Sequence, residues 1–339
     1  MMGHVLGVDG GNTKTDFLLF TLEGKLVDVM RTGTCSHEAE DMGYDKAYAL
    51  LAKHIDCFLA RNHISVASIK SAAFGLAGID LPHQYEAMHS RIKQIGIKNF
   101  VVANDSILGI KAISSNGTGL CSVNGTGTVT SGIDSEGKIV QIGGIGETCD
   151  DKAGGTYIAT KAVQAVYNQL FRCGQKTSIT EAMFTLLGCK TEEEFVLTIA
   201  NDEQMSLYVS KINILLQQQA TKRDAVAEHI LKEVGIFLGK SAAGCVKRLT
   251  FHERIDIVFI GSVWVKGAYD GMKEAFEKTF SSLIDLPFSV TKLTSPPATG
   301  AIIWALMLAD HTFDYTTIRN VVLQELTNAI YEKMVFQNN

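Results

Sequence analysis

Two stretches of this chain have the same pattern, and that repeat constrains its fold more than any other feature. The first is VDGGNTKTDFLLFTLEGKLV at residues 8–27, and the second is VNGTGTVTSGIDSEGKIV at residues 123–140. Each passes from an apolar strand through a turn of Gly and Thr into a second strand, and through an acidic-Gly-Lys turn into a third. The pattern predicts two related domains of one topology. The alternative is two unrelated hairpins that share turn chemistry.

Strands and helices alternate along the rest of the chain, which predicts an α/β fold with mixed sheets flanked by helices. Residues 156–247 have almost wholly helical spacing, whereas 255–260 form a short apolar run typical of a buried strand. Helical patterns follow over 266–280 and 316–336. We expect a first domain at 1–115 and a second at 116–312, with a helical insertion at about 156–247.

Charge and composition exclude several classes of function. Lys and Arg total 31 against 36 Asp and Glu, so no basic excess is available for a nucleic-acid backbone. No signal peptide or run of roughly 18 apolar residues is evident, so we expect no membrane partner. The 7 cysteines form no C-x-x-C pair and the 9 histidines no H-E-x-x-H motif, which disfavours zinc and suits a reducing cytoplasm.

Two glycine-rich turns have the chemistry of phosphate-binding loops. Gly lets the backbone approach a phosphate, while Thr hydroxyls and a Lys add donors. The pattern is neither a P-loop nor a dinucleotide-binding fingerprint. A single turn of this kind is equally typical of a plain hairpin, but two at equivalent positions predict a clamp on one polyphosphate. The predicted phosphate-binding residues are Gly10, Gly11, Asn12, Thr13, Lys14, Gly125, Thr126, Gly127 and Thr128.

Two aspartates lie where chemistry is expected. Asp9 ends a buried strand, where an unpaired carboxylate is costly and where holding a hydrated Mg²⁺ would offset that cost. Asp105 begins a helix, as a helix cap or as the general base for in-line attack by a substrate hydroxyl. The two loops favour the base. Gly261 and Ser262 follow strand 255–260, in an ordinary turn or against a bound nucleoside.

In this order and spacing, VDGGNTKTD, NDS, NGTGT and FIGSVW resemble the acetate and sugar kinase, heat-shock protein 70 and actin superfamily. More narrowly they resemble the BadF/BadG/BcrA/BcrD ATPase family, which includes N-acetylglucosamine kinase. The resemblance implies two ribonuclease-H-like domains in an actin-like ATPase fold, closing on ATP and Mg²⁺ with a sugar in the interdomain cleft. It also implies that the final helix packs back on the first domain and that the protein is a homodimer.

The resemblance assigns the sugar site to one set of positions: His37, Gly78, Asn104, Asp105, Gly144 and Asp151. His37 is equally well explained as an exposed loop residue. The sequence departs from the family pattern beside this set. Ile145 stands in place of a Trp, residues 152–154 read Lys-Ala-Gly in place of Glu-Gly-Ser, and Val129 replaces a polar sugar ligand. Losing such groups changes which sugar fits.

The expected function is ATP-dependent phosphorylation of a hydroxyl of a hexose or amino sugar, most like N-acetylglucosamine or glucosamine. One alternative is an ATPase that activates a partner enzyme. In this family such activators carry an iron–sulfur cluster, and the scattered cysteines argue against one. The other alternative is a nucleotide- or sugar-binding sensor without turnover, which the altered segment 145–154 motivates.

Overall fold

The computed structural model describes residues 3–309 and 314–336, with side chains through residue 328. The strands are β1 His4–Gly10, β2 Lys14–Thr21, β3 Leu26–Gly33, β4 Ile69–Leu76, β5 Phe100–Ala103, β6 Gly119–Asn124, β7 Thr128–Ile133, β8 Ile139–Ile142, β9 Ile255–Ile260 and β10 Phe288–Lys292. The helices are α1 Gly43–Arg61, α2 Pro82–Ile92, α3 Ser106–Ile113, α4 Gly155–Phe171, α5 Ile179–Leu187, α6 Glu192–Ile199, α7 Asp202–Ser206, α8 Val209–Thr221, α9 Ala225–Val246, α10 Ser262–Lys266, α11 Gly271–Leu283, α12 Ala298–Ala309 and α13 Tyr315–Phe336.

Within these residues the strands form two five-stranded sheets of identical topology. The first has the order β3-β2-β1-β4-β5, and the second, read from its other edge, has the order β8-β7-β6-β9-β10. In each sheet the three hairpin strands pair antiparallel and the last two strands add in parallel. The predicted mixed-sheet α/β class is confirmed, and the repeat is a repeat of topology rather than of turn chemistry alone.

The helices between β8 and β9 form the layer that covers one face of the second sheet. Helices α4, α8 and α9 pack on one another, and α9 also packs against α11. The prediction of one helix over 266–280 is wrong, because the chain breaks after Lys266 and resumes at Gly271. The break has a physical cause. The side chain of Gln217 accepts a hydrogen bond from the Tyr269 amide at 3.0 Å, which holds the segment as a loop.

Helices α3 and α12 lie between the two sheets. Nine residues of α12, from Ala298 to Leu306, are buried, as expected for a helix that is apolar on every side. It packs on β1, β4 and α3, while α3 packs on β6, β7 and β9. The contact is close because Gly300 brings the α12 backbone against the carbonyl oxygen of Leu108. These two helices therefore connect the sheets.

The C-terminal helix α13 packs on the first sheet's side of the molecule. Glu325 accepts a hydrogen bond from the Leu26 amide at 3.1 Å, and Val321 lies against Gly24 in the first hairpin. Arg319 donates to the carbonyl of Ile113 at the end of α3 at 2.6 Å. Within the described parts of the chain, no helix combines the length and the apolar character that crossing a membrane requires.

The packing at Gly300 generates a stability prediction. In Gly300→Ala, the new methyl group meets the Leu108 carbonyl oxygen, and overpacking of this kind costs about 1–3 kcal/mol. We expect a lower urea midpoint with an unchanged slope. The matched control is Gly33→Ala, where an added methyl meets no atom within 4 Å. Equal midpoints for the two variants would contradict the tight α3–α12 contact.

Candidate active site

The first glycine-rich turn connects β1 to β2 and positions Asp9 at its base. The Gly11 amide donates to the Lys14 carbonyl at 2.9 Å, which closes the turn, and Asn12, Thr13 and Lys14 are exposed. Asp9 is half-buried beside the first amide of α12, at Ala298. Desolvation, reinforced by the charges of Asp105 and Asp16, raises the pKa of Asp9 to about 7. A carboxylate in this position favours a cation beside it.

Asp16 faces Asp9 across the hairpin but has the opposite electrostatics. It accepts two hydrogen bonds from Arg31, at 2.6 and 2.8 Å, and Lys14 approaches it to 3.4 Å. Burial alone would raise the pKa of Asp16, but the Arg31 hydrogen bonds and the two positive charges lower it below its usual value. Asp16 is therefore neutralised within the protein, whereas Asp9 is available to a ligand.

Asp105 is placed at the start of α3 without acting as its cap. Its side chain makes no capping hydrogen bond, and the Ser106 amide is bonded instead by the side chain of Asn104 at 2.9 Å. Desolvation and the Asp80 charge raise the pKa of Asp105 to about 6. Ser106 also donates to Ser131 on β7 at 2.7 Å, so Asp105 lies where the two sheets meet. Asp105 thus occupies the cap position of α3 without a capping hydrogen bond to its side chain, while the nearby amides of Ser106 and Asp105 itself partly offset the rise in its pKa.

Asn104 belongs to a polar network that joins the two halves of the molecule. Its Nδ2 donates to Asp80 Oδ1 at 2.8 Å, and Gln141 on β8 donates to the same oxygen at 2.7 Å. Gly144 lies against Gln141. The network thus brings together two of the predicted sugar-site residues, Asn104 and Gly144. It adds Asp80 and Gln141, which were not predicted as site residues.

His37 packs next to Gly78, as the predicted sugar site requires. The His37 ring is half-buried and stacks on Tyr44 with centroids 4.4 Å apart, so it is not an exposed loop residue. Its buried Nε2 has no hydrogen-bond partner among the described residues, and burial lowers its pKa, which favours the neutral ring. A Cβ added at Gly78 would lie 2.8 Å from His37 and 2.7 Å from the Glu38 carboxyl carbon.

Asp151 organises the segment that departs from the family pattern. Its Oδ2 accepts hydrogen bonds from the amides of Gly144, Ile145 and Gly146, at 2.9, 3.1 and 2.8 Å. Ile145 itself is 61% exposed and is not the flat aromatic wall that a Trp would provide at this position. One carboxylate oxygen of Asp151 therefore fixes the conformation of the loop that contains Gly144, which leaves its other oxygen for further contacts.

The second glycine-rich turn is held by two other parts of the chain, the start of α4 and the turn after β9. The Gly155 amide, at the start of α4, donates to the Gly125 carbonyl at 2.7 Å. Asn124 accepts a hydrogen bond from the Gly154 amide at 2.8 Å. Gly154 and Gly261 both have positive φ, and a side chain at either would overlap the turn backbone. Gly261 and Ser262 therefore lie in one cluster with the predicted phosphate-binding residues of this turn.

A cavity of about 250 Å³ opens beside that cluster. It is bordered by Gly125, Thr126 and Ser262, and its far wall is α8. Asn213 donates to the carbonyls of Gly155 and Val209, which leaves its Oδ1 without a partner among the described residues. Gln217 Nε2 is likewise unpartnered there. A cavity with apolar walls and a few unsatisfied polar atoms is typical of a small-molecule site.

Sequence reasoning missed five side chains of this site for different reasons. Asp80 lies two residues after Gly78, and Glu38 neighbours His37, so position along the chain was an available signal. Gln141 and the two α8 amides had none, because only the packing of distant elements brings them to the site. Polar residues on an amphipathic helix are otherwise typical of a solvated face.

A sequence model of the BadF/BadG/BcrA/BcrD ATPase family matches residues 6–305, which is most of the chain and includes both glycine-rich turns. The chain belongs to this family. It is 23% identical over 305 residues to an N-acetylmuramic acid/N-acetylglucosamine kinase of Clostridium acetobutylicum, covering 90% of this chain and 98% of that protein. It is 24% identical over 274 residues to an N-acetyl-D-glucosamine kinase of Dictyostelium discoideum, covering 76% and 84%.

The fold of this family member is also found in solved structures. A Chromobacterium violaceum protein described as an N-acetylglucosamine kinase superposes with a TM-score of 0.64 at 16% identity, covering 91% of this chain and 99% of that one. At this level of identity the likeness establishes the fold. It is the actin-like ATPase fold of sugar kinases.

Asp9 and Asp16 give a stability test of the site's electrostatics in metal-free protein. The raised pKa of Asp9 means that its ionised form destabilises the fold, and this penalty grows from about pH 4 to about pH 7. Asp9→Asn should therefore stabilise the protein at pH 8, by on the order of 2 kcal/mol. The pKa of Asp16 is lowered instead, so its ionised form stabilises the fold, and Asp16→Asn should destabilise the protein at pH 8. Thermal unfolding in the presence of EDTA measures the change in stability of both variants. Melting temperatures that shift in the same direction for Asp9→Asn and Asp16→Asn would contradict the opposite electrostatics assigned to these two residues.

Proposed function

We propose that this family member is an ATP-dependent kinase that transfers the γ-phosphoryl group of ATP to a hydroxyl of a hexose or amino sugar, most like N-acetylglucosamine or glucosamine. One observation carries the proposal: the Asp105 carboxylate lies where the two sheets meet, beside the polar network of Asn104 and Asp80 and within range of the Asp9 charge. The kinase names of the two curated relatives support it.

Asp105 is the proposed general base. In an in-line transfer the acceptor hydroxyl loses a proton as its oxygen attacks the γ-phosphorus, and the leaving ADP oxygen takes up the negative charge. A carboxylate with a pKa of about 6 is ionised at neutral pH and still basic enough to assist that proton loss. Asn104 and Ser106 fix the turn around it, because each is hydrogen-bonded to a neighbouring element.

The two glycine-rich turns are the proposed phosphate clamp. Gly10 to Lys14 would contact the phosphates from the first sheet and Gly125 to Thr128 from the second, with the exposed amides and hydroxyls as donors. The 250 Å³ cavity beside Gly261 and Ser262 would hold the adenosine. Closing the sheets on the nucleotide would exclude water that otherwise hydrolyses ATP.

Asp9 fits the cation that the proposed reaction uses. Among the described residues its desolvated carboxylate forms no ion pair, and Lys14, whose charge lowers the pKa of Asp9, contacts Asp16 instead at 3.4 Å. Within those residues no three His, Cys, Asp or Glu side chains gather into a metal site. Such an arrangement suits Mg²⁺, which keeps several waters and uses one or two carboxylates together with substrate phosphates. When bound, Mg²⁺ would neutralise charge on the phosphates.

We extend the proposal to the two domains, the sugar-site residues and the oligomeric state. Residues 1–115 and 116–312 would form the two closing domains, with His37, Gly78, Asn104, Gly144 and Asp151 around the sugar. We also propose a cytoplasmic homodimer that uses no nucleic-acid or membrane partner. Light scattering of the purified protein tests the dimer.

Substitution of the proposed base gives the sharpest test. We expect Asp105→Asn to lower the turnover number for sugar-dependent ADP release by about 10²–10⁴, because the amide cannot accept the hydroxyl proton. ATP binding, measured by calorimetry, should be nearly intact. The control is Asp285→Asn, an exposed aspartate outside the site, which should match the wild type. Unchanged ADP release in Asp105→Asn would remove the role assigned to Asp105.

The pH dependence provides an independent check. Because Asp105 must be ionised to act as a base and its pKa is raised to about 6, kcat/KM should fall tenfold per pH unit below that value. The measurement uses saturating Mg²⁺ and ATP, with the sugar varied. If kcat/KM falls only near pH 4, the range of an ordinary aspartate, ionisation of Asp105 does not control the rate.

If no sugar supports ADP release while ATP still binds, the sensor alternative gains support. A panel of N-acetylglucosamine, glucosamine, N-acetylmannosamine and glucose makes that distinction.

A further inference from the structure

Three carboxylates converge on the proposed sugar site. Asp80 accepts a hydrogen bond at 2.8 Å from Asn104, the residue before Asp105, and its charge raises the pKa of both Asp105 and Glu38. Glu38 is placed by its contact with Gly78, next to His37. The sugar site therefore has a concentrated negative potential on the side formed by the first sheet.

None of these three carboxylates forms an ion pair in the described part of the chain. Lys14 and Arg31 pair with Asp16, and Lys152 pairs with Asp150 at 2.8 Å. His37 is kept neutral by burial. Asp80 is stabilised by two neutral amides, from Asn104 and Gln141, rather than by a cation.

Glu38 differs from the other two carboxylates in having no fixed role. Within residues 3–309 and 314–336 its carboxylate makes no hydrogen bond and no ion pair, whereas its backbone amide donates to Ser36 at 3.3 Å. Glu38 is exposed, and its carboxyl carbon lies 2.7 Å from where a Cβ at Gly78 would be, which places the carboxylate beside the proposed sugar site. Its charge is thus available to a bound ligand.

We propose that the sugar site selects its substrate by charge, accepting neutral and protonated amino sugars and rejecting sugar acids, with Glu38 as the residue that sets this preference. The inference rests on the proposed kinase function. It separates this chain from its Clostridium relative, whose name includes N-acetylmuramic acid, an amino sugar that carries a carboxylate. Like charges brought together in a partly desolvated site are unfavourable and suppress the wrong ligand.

Two matched pairs of sugars test the selection in the wild-type protein at about pH 7. N-acetylmuramic acid and its carboxamide have nearly the same size and differ by one negative charge. Glucosamine and glucose differ at one substituent, which is largely protonated in glucosamine. We expect kcat/KM to be at least about tenfold higher for the carboxamide than for the acid, and higher for glucosamine than for glucose.

Glu38→Gln tests the assigned residue, because it removes the charge and keeps the shape. In this variant the kcat/KM ratio of carboxamide to acid and the ratio of glucosamine to glucose should both decrease. The decrease should be about tenfold if the charges lie within a few ångströms of the ligand. The matched control is Glu40→Gln, which removes the same charge from an exposed position in the same loop. It should leave both ratios unchanged.

Calorimetric sugar binding separates failure of this inference from failure of the kinase proposal. If no sugar is turned over but glucosamine binds more tightly than N-acetylmuramic acid, and Glu38→Gln narrows that difference, the kinase proposal fails and charge selection stands. Equal binding or turnover of the acid and its carboxamide overturns charge selection. A gap that Glu38→Gln does not change overturns the role of Glu38. Absence of binding by every sugar overturns both proposals.

Discussion

The close contact between α3 and α12 is the constraint on which the site depends. Gly300 allows the α12 backbone to approach the carbonyl of Leu108, and Gly7 on β1 has Ile302 of α12 directly against it. The amino ends of these two packed helices position the two aspartates, Asp9 beside Ala298 and Asp105 at the start of α3. Because α12 packs on the first sheet and α3 packs on the second, the contact between these two helices fixes how the second sheet lies beside the aspartates.

The site concentrates uncompensated negative charge, which is unfavourable for the empty protein. Asp9 and Asp105 both have raised pKa values because burial and neighbouring carboxylates disfavour their ionised forms. Asp16, one strand away, shows that the fold can neutralise a buried carboxylate where it supplies an arginine. The contrast indicates that Asp9 and Asp105 are kept unpaired for ligands, a pattern common at functional sites. The ionised forms of Asp9 and Asp105 therefore lower the stability of the empty protein, and the same two residues are the proposed cation position and general base.

Much of the fold was predictable from local pattern. Residues 8–27 and 123–140 share turn chemistry and strand alternation, and both become the first three strands of their sheets. The position of both glycine-rich turns was also predictable, since clustered Gly and Thr residues between two strands favour a tight connection. By contrast, the break between α10 and α11 was missed because a side chain of α8 holds it, and an apolar period carries no sign of such a contact.

The sequence by itself determined the family, the paired hairpins and the identity of the aspartates, because these depend on residues close together in the chain. Only the tertiary structure decided that Asp105 begins α3 without a capping hydrogen bond to its side chain, that Asp151 is bonded by its own loop, and that His37 is half-buried on Tyr44. It also brought Glu38, Asp80 and Gln141 beside residues of the proposed sugar site. The physical reason is that pKa, burial and hydrogen-bond partners depend on what distant segments place beside a side chain.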